Sequence, residues 1–243
     1  MSIRKVLCKS AGVALLSVAG LGTVSAVQID FTGGTVTKND ATTGVTNNID
    51  TFQGVSKYEE AGFKLEFIFA AGTPSDFASI VGDYYGTGND VVHAHWSSGP
   101  FGEVDEIRVS KIGGGTFDLG GFRVSTNTAR GGGASDGNEL TWVNSSKANN
   151  IFSVTPDDWG LGAGSDPLIS IAANNSLFDD ILWFSFTNDA SSSAVGLGLD
   201  NFFLDEAGNP NGFDPTAVPE PSTLGLLVAG LLGFRAMQRK RVA

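Results

Sequence analysis

Cysteine and histidine are almost absent from this chain. Its 243 residues include one cysteine, Cys8, and two histidines, His93 and His95. A single thiol cannot form an intrachain disulfide, and two histidines separated by one residue leave few arrangements for a Ser-His-Asp triad. The sequence therefore predicts a protein that depends on its hydrophobic core for stability, and it argues against thiol or triad catalysis.

Positive charge is scarce in the centre of the chain. Seven of the 15 basic residues lie in the two ends, whereas Glu220 alone of the 26 acidic residues lies outside residues 27–217. The central region has eight basic and 25 acidic side chains, which give it a net charge of −17. Because phosphate contacts need clustered Lys or Arg, we expect no binding to nucleic acid or anionic lipid. The same charge favours divalent cations.

The chain also lacks an apolar run of the length that a permanent membrane anchor needs, which is about 20 residues. The N-terminal run, residues 11–21, follows three basic residues and precedes the small residues Val24, Ser25 and Ala26. This order is typical of a secretory signal peptide. The sequence thus predicts a signal helix within residues 1–26 and cleavage after Ala26.

The C-terminal region, residues 218–243, combines three features. Pro219, Glu220 and Pro221 precede a short apolar run at residues 224–234, and a cluster of four basic residues follows. The two prolines exclude a regular helix or a central strand at this point, which leaves an extended and exposed backbone. The basic cluster would hold the end of the apolar run at the cytoplasmic face. We therefore expect a short hydrophobic helix that inserts only transiently into the inner membrane.

This tail resembles the PEP-CTERM sorting signal of Gram-negative bacteria. The resemblance implies export across the inner membrane, recognition by an exosortase and removal of the tail. The expected partners are the export machinery and the exosortase, and the expected destination is the cell surface or the extracellular space. The alternative is a buried or amphipathic helix of the main domain, against which the contrast between the basic end and the acidic centre argues.

The central region, residues 27–217, has the pattern of one all-β domain. Glycine is abundant, and the chain contains 17 phenylalanines. Phe63, Leu65, Phe67 and Phe69 share one face of a strand, because Lys64 and Glu66 between them point the other way. About ten such segments predict two antiparallel sheets packed as a sandwich, with a jelly roll as the first choice and an immunoglobulin-like fold as the second.

Two segments of this region need particular interpretation. Gly120 and Gly121 lie between two short strand candidates and predict a hairpin or a bulge. Residues 181–186 are almost continuously apolar, so we expect a strand that is buried on both faces, with Trp183 in the core.

Four short motifs resemble the jelly-roll domains of PEP-CTERM proteins, which are similar in shape to carbohydrate-binding modules. They are residues 58–63, 115–122, 183–186 and 198–202. The resemblance implies a sandwich fold and sugar binding. It also implies a structural Ca²⁺ held by Asp200 on the last strand and by oxygen atoms of the first strand, where Asp30 is the matching residue. The alternative is that both aspartates end or cap strands.

The two histidines suggest a second metal site. His93 and His95 share one face of a strand, so both could bind Zn²⁺ or Cu²⁺, with Asp90 or Asp105 as a third ligand. The alternative is an ordinary pair of surface or cleft histidines.

Two tryptophans are predicted to lie on loops. Trp96 precedes a Ser-Ser-Gly-Pro segment, and Trp159 follows two aspartates and precedes a glycine. Exposed aromatic rings on loops could stack on a sugar. The alternative is that each ring closes an end of the sandwich.

Taken together, these patterns predict an exported, non-enzymatic protein of an exopolysaccharide-rich surface or biofilm layer, with a structural or carbohydrate-binding role. One alternative is a secreted hydrolase of that polysaccharide, because paired carboxylates can hydrolyse glycosides, although no spacing in this acidic chain identifies a pair. Another is a purely structural protein that associates with itself.

Overall fold

The computed structural model describes residues 27–71, 74–97, 103–125, 140–154, 166–172, 175–188 and 196–204. Within these ranges the secondary structure consists of β-strands. They are β1 (Val27–Ile29), β2 (Thr35–Lys38), β3 (Thr43–Val45), β4 (Thr51–Gln53), β5 (Val55–Glu60), β6 (Phe63–Phe69), β7 (Ser79–Gly82), β8 (Val91–His95), β9 (Val104–Lys111), β10 (Leu119–Ser125), β11 (Thr141–Ser145), β12 (Ala148–Val154), β13 (Leu168–Ser170), β14 (Trp183–Asn188) and β15 (Gly196–Leu204).

The strands form two antiparallel sheets. The seven-stranded sheet has the order β13-β10-β15-β8-β7-β4, and β1 pairs with β15. The eight-stranded sheet has the order β12-β11-β14-β9-β6-β5-β2-β3. The predicted all-β, two-sheet antiparallel sandwich is confirmed, while the predicted signal helix and C-terminal helix lie outside the described residues.

The core lies between the sheets and is rich in phenylalanine. Phe202 of β15 is at its centre, with its ring centroid 5.2 Å from that of Phe31 and 5.2 Å from that of Phe184. Phe186 lies 6.1 Å away on the opposite sheet, and all four rings are fully buried. Because such rings bury a large apolar area, this cluster joins the two sheets.

Strand β15 contains an extra residue relative to its neighbour β10. Phe122 pairs with Phe202, whereas Val124 pairs with Leu199, so two steps along β10 correspond to three along β15. This β-bulge keeps both Leu199 and Phe202 in the core although they are three residues apart. A bulge also changes the direction of a nearby side chain. Here the residue at the start of the bulge is Asp200.

One prediction about strands is confirmed and another is corrected. Of the two alternatives predicted for Gly120 and Gly121, the bulge is confirmed, because both glycines lie inside the continuous strand β10 and its register shifts between Leu119 and Gly121. Residues 181–186 are not buried on both faces. Phe184 and Phe186 are buried, but Leu182 is 55% exposed and Trp183 is only partly buried.

Candidate functional site

The outer face of the eight-stranded sheet contains a row of polar and aromatic side chains. On β14, Phe184 and Phe186 point into the core, so Trp183, Ser185 and Thr187 point outwards. The register places Ser185 opposite Arg108 of β9 on one side and opposite Asn144 of β11 on the other. Three adjacent strands thereby bring these groups together.

An open cleft of about 480 Å³ lies on this face. Strands β9 and β14 line it with Glu106, Arg108, Trp183, Ser185 and Thr187. Strands β11 and β12 add Asn144, Asn149 and Asn150. Among the described residues, the lining is thus one indole ring surrounded by amide, hydroxyl and charged groups.

The groups in the cleft are held in place by one another. The Arg108 guanidinium carbon lies 4.8 Å from the centroid of the Trp183 ring, a cation–π distance. Arg108 also donates two hydrogen bonds to the Glu106 carboxylate, of 3.0 and 2.8 Å. Asn144 donates to the Thr187 hydroxyl at 3.1 Å and accepts from the Asn150 backbone N–H at 2.7 Å. A ligand would therefore meet a largely preorganised surface.

The tryptophans are not placed as the sequence predicted. Trp183, expected in the core, lines the cleft, whereas Trp96 is fully buried and forms an isolated bridge with Val104. The exposed loop position expected for Trp96 is therefore wrong, because a ring without exposed surface has no face to offer a sugar. Trp142 is partly buried on the outer sheet face, opposite Thr187. Trp159 lies outside the described residues.

A second polar site lies where β15 changes partner. Its residues 196–199 pair with β8, and residues 202–204 pair with β1 along the same edge. Asp200 lies at this change, Asp90 immediately precedes β8, and Asp30 immediately follows β1. The structure therefore brings the two predicted Ca²⁺ ligands, Asp30 and Asp200, to the same junction and adds Asp90. We call this site the acidic junction.

Among the residues that the structure describes, two carboxylate oxygens at the acidic junction have no hydrogen-bond partner. Asp200 accepts a 3.0 Å hydrogen bond from the Asn89 amide through Oδ1, but its Oδ2 has none. Asp90 accepts from the Asn48 N–H at 2.7 Å through Oδ2, and its Oδ1 has none. Both side chains are fully buried. An unpaired buried carboxylate oxygen is costly, so both atoms are suited to a cation.

The electrostatics of the acidic junction agree with these contacts. Burial raises the pKa of Asp200 to about 6, and the charges of Asp166 and Asp30 add to the shift against the opposing effects of Asn89 and Arg123. Burial also raises the pKa of Asp90, with further contributions from Asp83 and Asp30. The pKa of Glu60 rises to about 7, mainly through burial and also through the charge of Asp30. The region therefore concentrates negative charge, which Arg123 opposes at Asp200.

Part of this arrangement fits Ca²⁺. Ca²⁺ takes six to eight oxygen ligands, including carboxylates, amide and backbone oxygens. The unpaired oxygens of Asp90 and Asp200 fit that chemistry. Yet no three Asp, Glu, His or Cys side chains gather into a metal-binding group anywhere in the described ranges. Backbone and amide oxygens would have to supply the remaining ligands.

The histidines lie on the outer face of the seven-stranded sheet. His93 and His95 are buried on β8 and adjacent to each other. Neither predicted third ligand joins them in a group within the part of the chain that the structure describes. Asp105 is exposed and accepts a hydrogen bond from the Ser97 hydroxyl.

Comparison with known proteins identifies the C-terminal tail. Residues 217–241 match the family described as the PEP-CTERM protein-sorting motif. This match confirms the predicted motif and supports an exported protein that is sorted by an exosortase. Pro219, Glu220 and Pro221, like the cleavage residue Ala26, lie outside the described residues. No curated protein and no solved structure matches the chain. Within the described residues, no helix has the length and apolar character to span a membrane.

Proposed function

We propose that this protein is a non-enzymatic, sugar-binding component of an exopolysaccharide or biofilm layer at the surface of a Gram-negative cell. The observation that supports this proposal best is the open cleft around Trp183. After export, an exosortase removes the tail, and the sandwich binds polysaccharide through the outer face of its eight-stranded sheet.

The chemistry of the cleft favours a neutral, hydroxyl-rich ligand. The indole of Trp183 and the guanidinium of Arg108 provide flat surfaces, while Asn149, Asn150 and Ser185 provide hydrogen-bonding groups. The charge of Arg108 is balanced by Glu106. An anionic sugar would meet no unpaired positive charge in the described lining of the cleft, and the acidic central region would repel it.

Binding explains the cleft better than hydrolysis does. A glycosidase needs two carboxyl groups, about 5–10 Å apart, that flank the bond to be cleaved. Glu106 is the one acidic residue in the described lining, and Arg108 engages both of its oxygens. This arrangement supports a binding role without an acid and base pair.

We further propose that Ca²⁺ binds the acidic junction. Asp90 and Asp200 would hold it through their unpaired oxygens, and Asp30 would contribute from the end of β1. The ion would supply positive charge that joins the ends of β1 and β8 to the middle of β15. Its role would be structural, since the junction and the cleft lie on different sheets.

Replacing Trp183 by alanine should abolish most sugar binding. Buried-interface tryptophans commonly contribute about 2 kcal/mol or more to binding, so we expect affinity to fall by about thirtyfold or more. The measurement is isothermal titration calorimetry with a neutral glycan selected on a glycan array, performed on folded wild-type and variant protein.

Trp142→Ala provides the matched control, because Trp142 lies on the same outer face but does not line the cleft. We expect its affinity to remain within about threefold of wild type. Equal losses in both variants, or wild-type affinity in Trp183→Ala, would refute binding at this cleft. The absence of any glycan ligand would refute the sugar-binding function itself.

A further inference from the structure

The two histidines of the chain point their Nε2 atoms at each other. Val92 and Ala94 of β8 face the core, so His93 and His95 lie together on the opposite face of the strand. Their Nε2 atoms are 3.4 Å apart, and their ring planes meet at 76°. His93 is completely buried, whereas His95 retains 6% of its exposure.

Each histidine is held in place through its other ring nitrogen. His95 Nδ1 lies 2.5 Å from the backbone carbonyl oxygen of Phe77. Because a carbonyl oxygen can only accept, Nδ1 of His95 must donate, which leaves a lone pair on Nε2 in the neutral ring. His93 Nδ1 lies 3.2 Å from the Tyr85 hydroxyl, and Tyr84 stacks on the His93 ring at 4.6 Å.

The neighbouring strand leaves room for these rings. Gly196 of β15 pairs with His95, and a Cβ atom at Gly196 would lie 3.1 Å from His93 Nε2 and 2.4 Å from the Ala94 carbonyl oxygen. Burial lowers the pKa of both histidines, and their mutual proximity lowers that of His93 further.

We propose that His93 and His95 bind one late first-row transition-metal ion through their Nε2 atoms. Two nitrogens that bind a metal at about 2.0–2.1 Å with a tetrahedral angle lie about 3.3–3.4 Å apart, which is the separation here. A metal-binding histidine usually donates its other N–H to a carbonyl or a similar group, as His95 does to Phe77. A tetrahedral arrangement is typical of Zn²⁺, whereas Cu²⁺, which binds nitrogen ligands more tightly than the other divalent ions of the series, serves as the spectroscopic probe of the site.

Water molecules would occupy the remaining coordination positions of the ion. No third histidine, cysteine or acidic side chain forms a group with the pair in the described part of the chain. The ion would approach from the side of His95, whose ring keeps some exposure. A site with two protein ligands and open positions binds less tightly than a closed structural site.

A hydrogen bond explains the same distance without a metal. In that arrangement the Tyr85 hydroxyl donates to His93 Nδ1, and His93 Nε2–H donates to His95 Nε2. The ligands of added Cu²⁺ distinguish the two arrangements. If the two rings only form a hydrogen bond with each other, Cu²⁺ binds elsewhere and has no imidazole ligand.

The test is pulsed electron paramagnetic resonance of the full-length chain, stripped with EDTA and given one equivalent of Cu²⁺. This method detects the remote nitrogen of a metal-bound imidazole. Since His93 and His95 are the only histidines, a signal from two imidazoles identifies the pair. We expect that signal, and its absence from the wild-type spectrum would overturn the proposal without the need for any variant.

Substitution provides a second, independent readout. His95→Gln should weaken Cu²⁺ binding at least tenfold in a competition titration and should reduce the spectrum to one imidazole or none. Asp105→Asn is the control, and we expect its affinity to equal that of wild type. Unchanged Cu²⁺ affinity in folded His95→Gln would contradict the proposal, as would an equal loss in Asp105→Asn.

Discussion

In the presence of EDTA, the carboxyl groups of Asp200 and Glu60 should lower the melting temperature of this protein as the pH rises from 4 to 7, against the opposite effect of His93 and His95, and Ca²⁺ should offset the effect of the carboxyl groups. The pKa of Asp200 is raised from 3.8 to about 6, and that of Glu60 from 4.5 to about 7, mainly by burial. At a pH between the usual and the raised pKa of each group, its carboxyl is protonated in the folded state and ionised in the unfolded state. These two carboxyl groups therefore make the free energy of unfolding decrease as the pH increases through this range, whereas the lowered pKa values of His93 and His95 make it increase.

Ca²⁺ should offset the loss of stability that the two carboxyl groups cause. A ligand that binds the folded state alone adds about 2.7 kcal/mol to its stability at one hundred times Kd, which corresponds to about 5–10 °C for a domain of this size. The increase should be larger at pH 7 than at pH 4.5, because Ca²⁺ binds the ionised carboxylates. Differential scanning calorimetry at both pH values, with EDTA and with Ca²⁺, measures the effect.

Two variants connect the effect to the acidic junction. Asp200→Asn should lose most of the Ca²⁺ response and should remove the decrease in stability that Asp200 causes between pH 4 and pH 6. Glu66→Gln, which removes an ion pair with Lys64 on the other sheet, should retain both. A difference in melting temperature between wild type and Asp200→Asn that is the same at pH 4 and pH 7 in EDTA would contradict the assignment of Asp200. A full Ca²⁺ response in Asp200→Asn would exclude the junction as the Ca²⁺ site.

Phe202→Ala should reduce the free energy of unfolding by about 3–5 kcal/mol, which is the usual cost of removing a buried phenylalanine ring. Phe202 contacts rings of both sheets and is fully buried, so the cavity would open at the centre of the core. Urea denaturation followed by circular dichroism measures this change.

Phe77→Ala is the matched control for this substitution, because the Phe77 side chain is 59% exposed. We expect a change of less than about 0.5 kcal/mol for it. Similar losses in both variants would show that the ring cluster around Phe202 does not join the sheets as described.

The sequence predicts strands well where one face is buried and the other is not. Phe63, Leu65 and Phe67 alternate with partly exposed residues, and β6 lies where that alternation places it. The same rule fails at residues 181–186, because Leu182 and Trp183 are apolar although they point outwards. Hydrophobicity alone does not distinguish a core ring from a ring that lines an open cleft.

The acidic junction shows a different limit. Asn89 and Asp200 form a hydrogen bond across 111 residues of sequence, and the bulge on β15 determines where Asp200 points. No local pattern reveals that β8 and β1 end at the same point on β15. Asp30 and Asp200 could be linked through a resemblance between domains, whereas Asp90 becomes a partner only once the register is known.

The pairing of β1 with β15 determines the order in which the fold can be completed. Val27 pairs with Leu204, so β1, which follows the predicted cleavage site, pairs with β15, the last strand of the described residues. Because a chain is synthesised from its N-terminus, residues 27–29 stay unpaired until residues 202–204 have been synthesised. The pairing of β1 with β15 therefore forms late in synthesis. The sorting tail follows β15 along the chain.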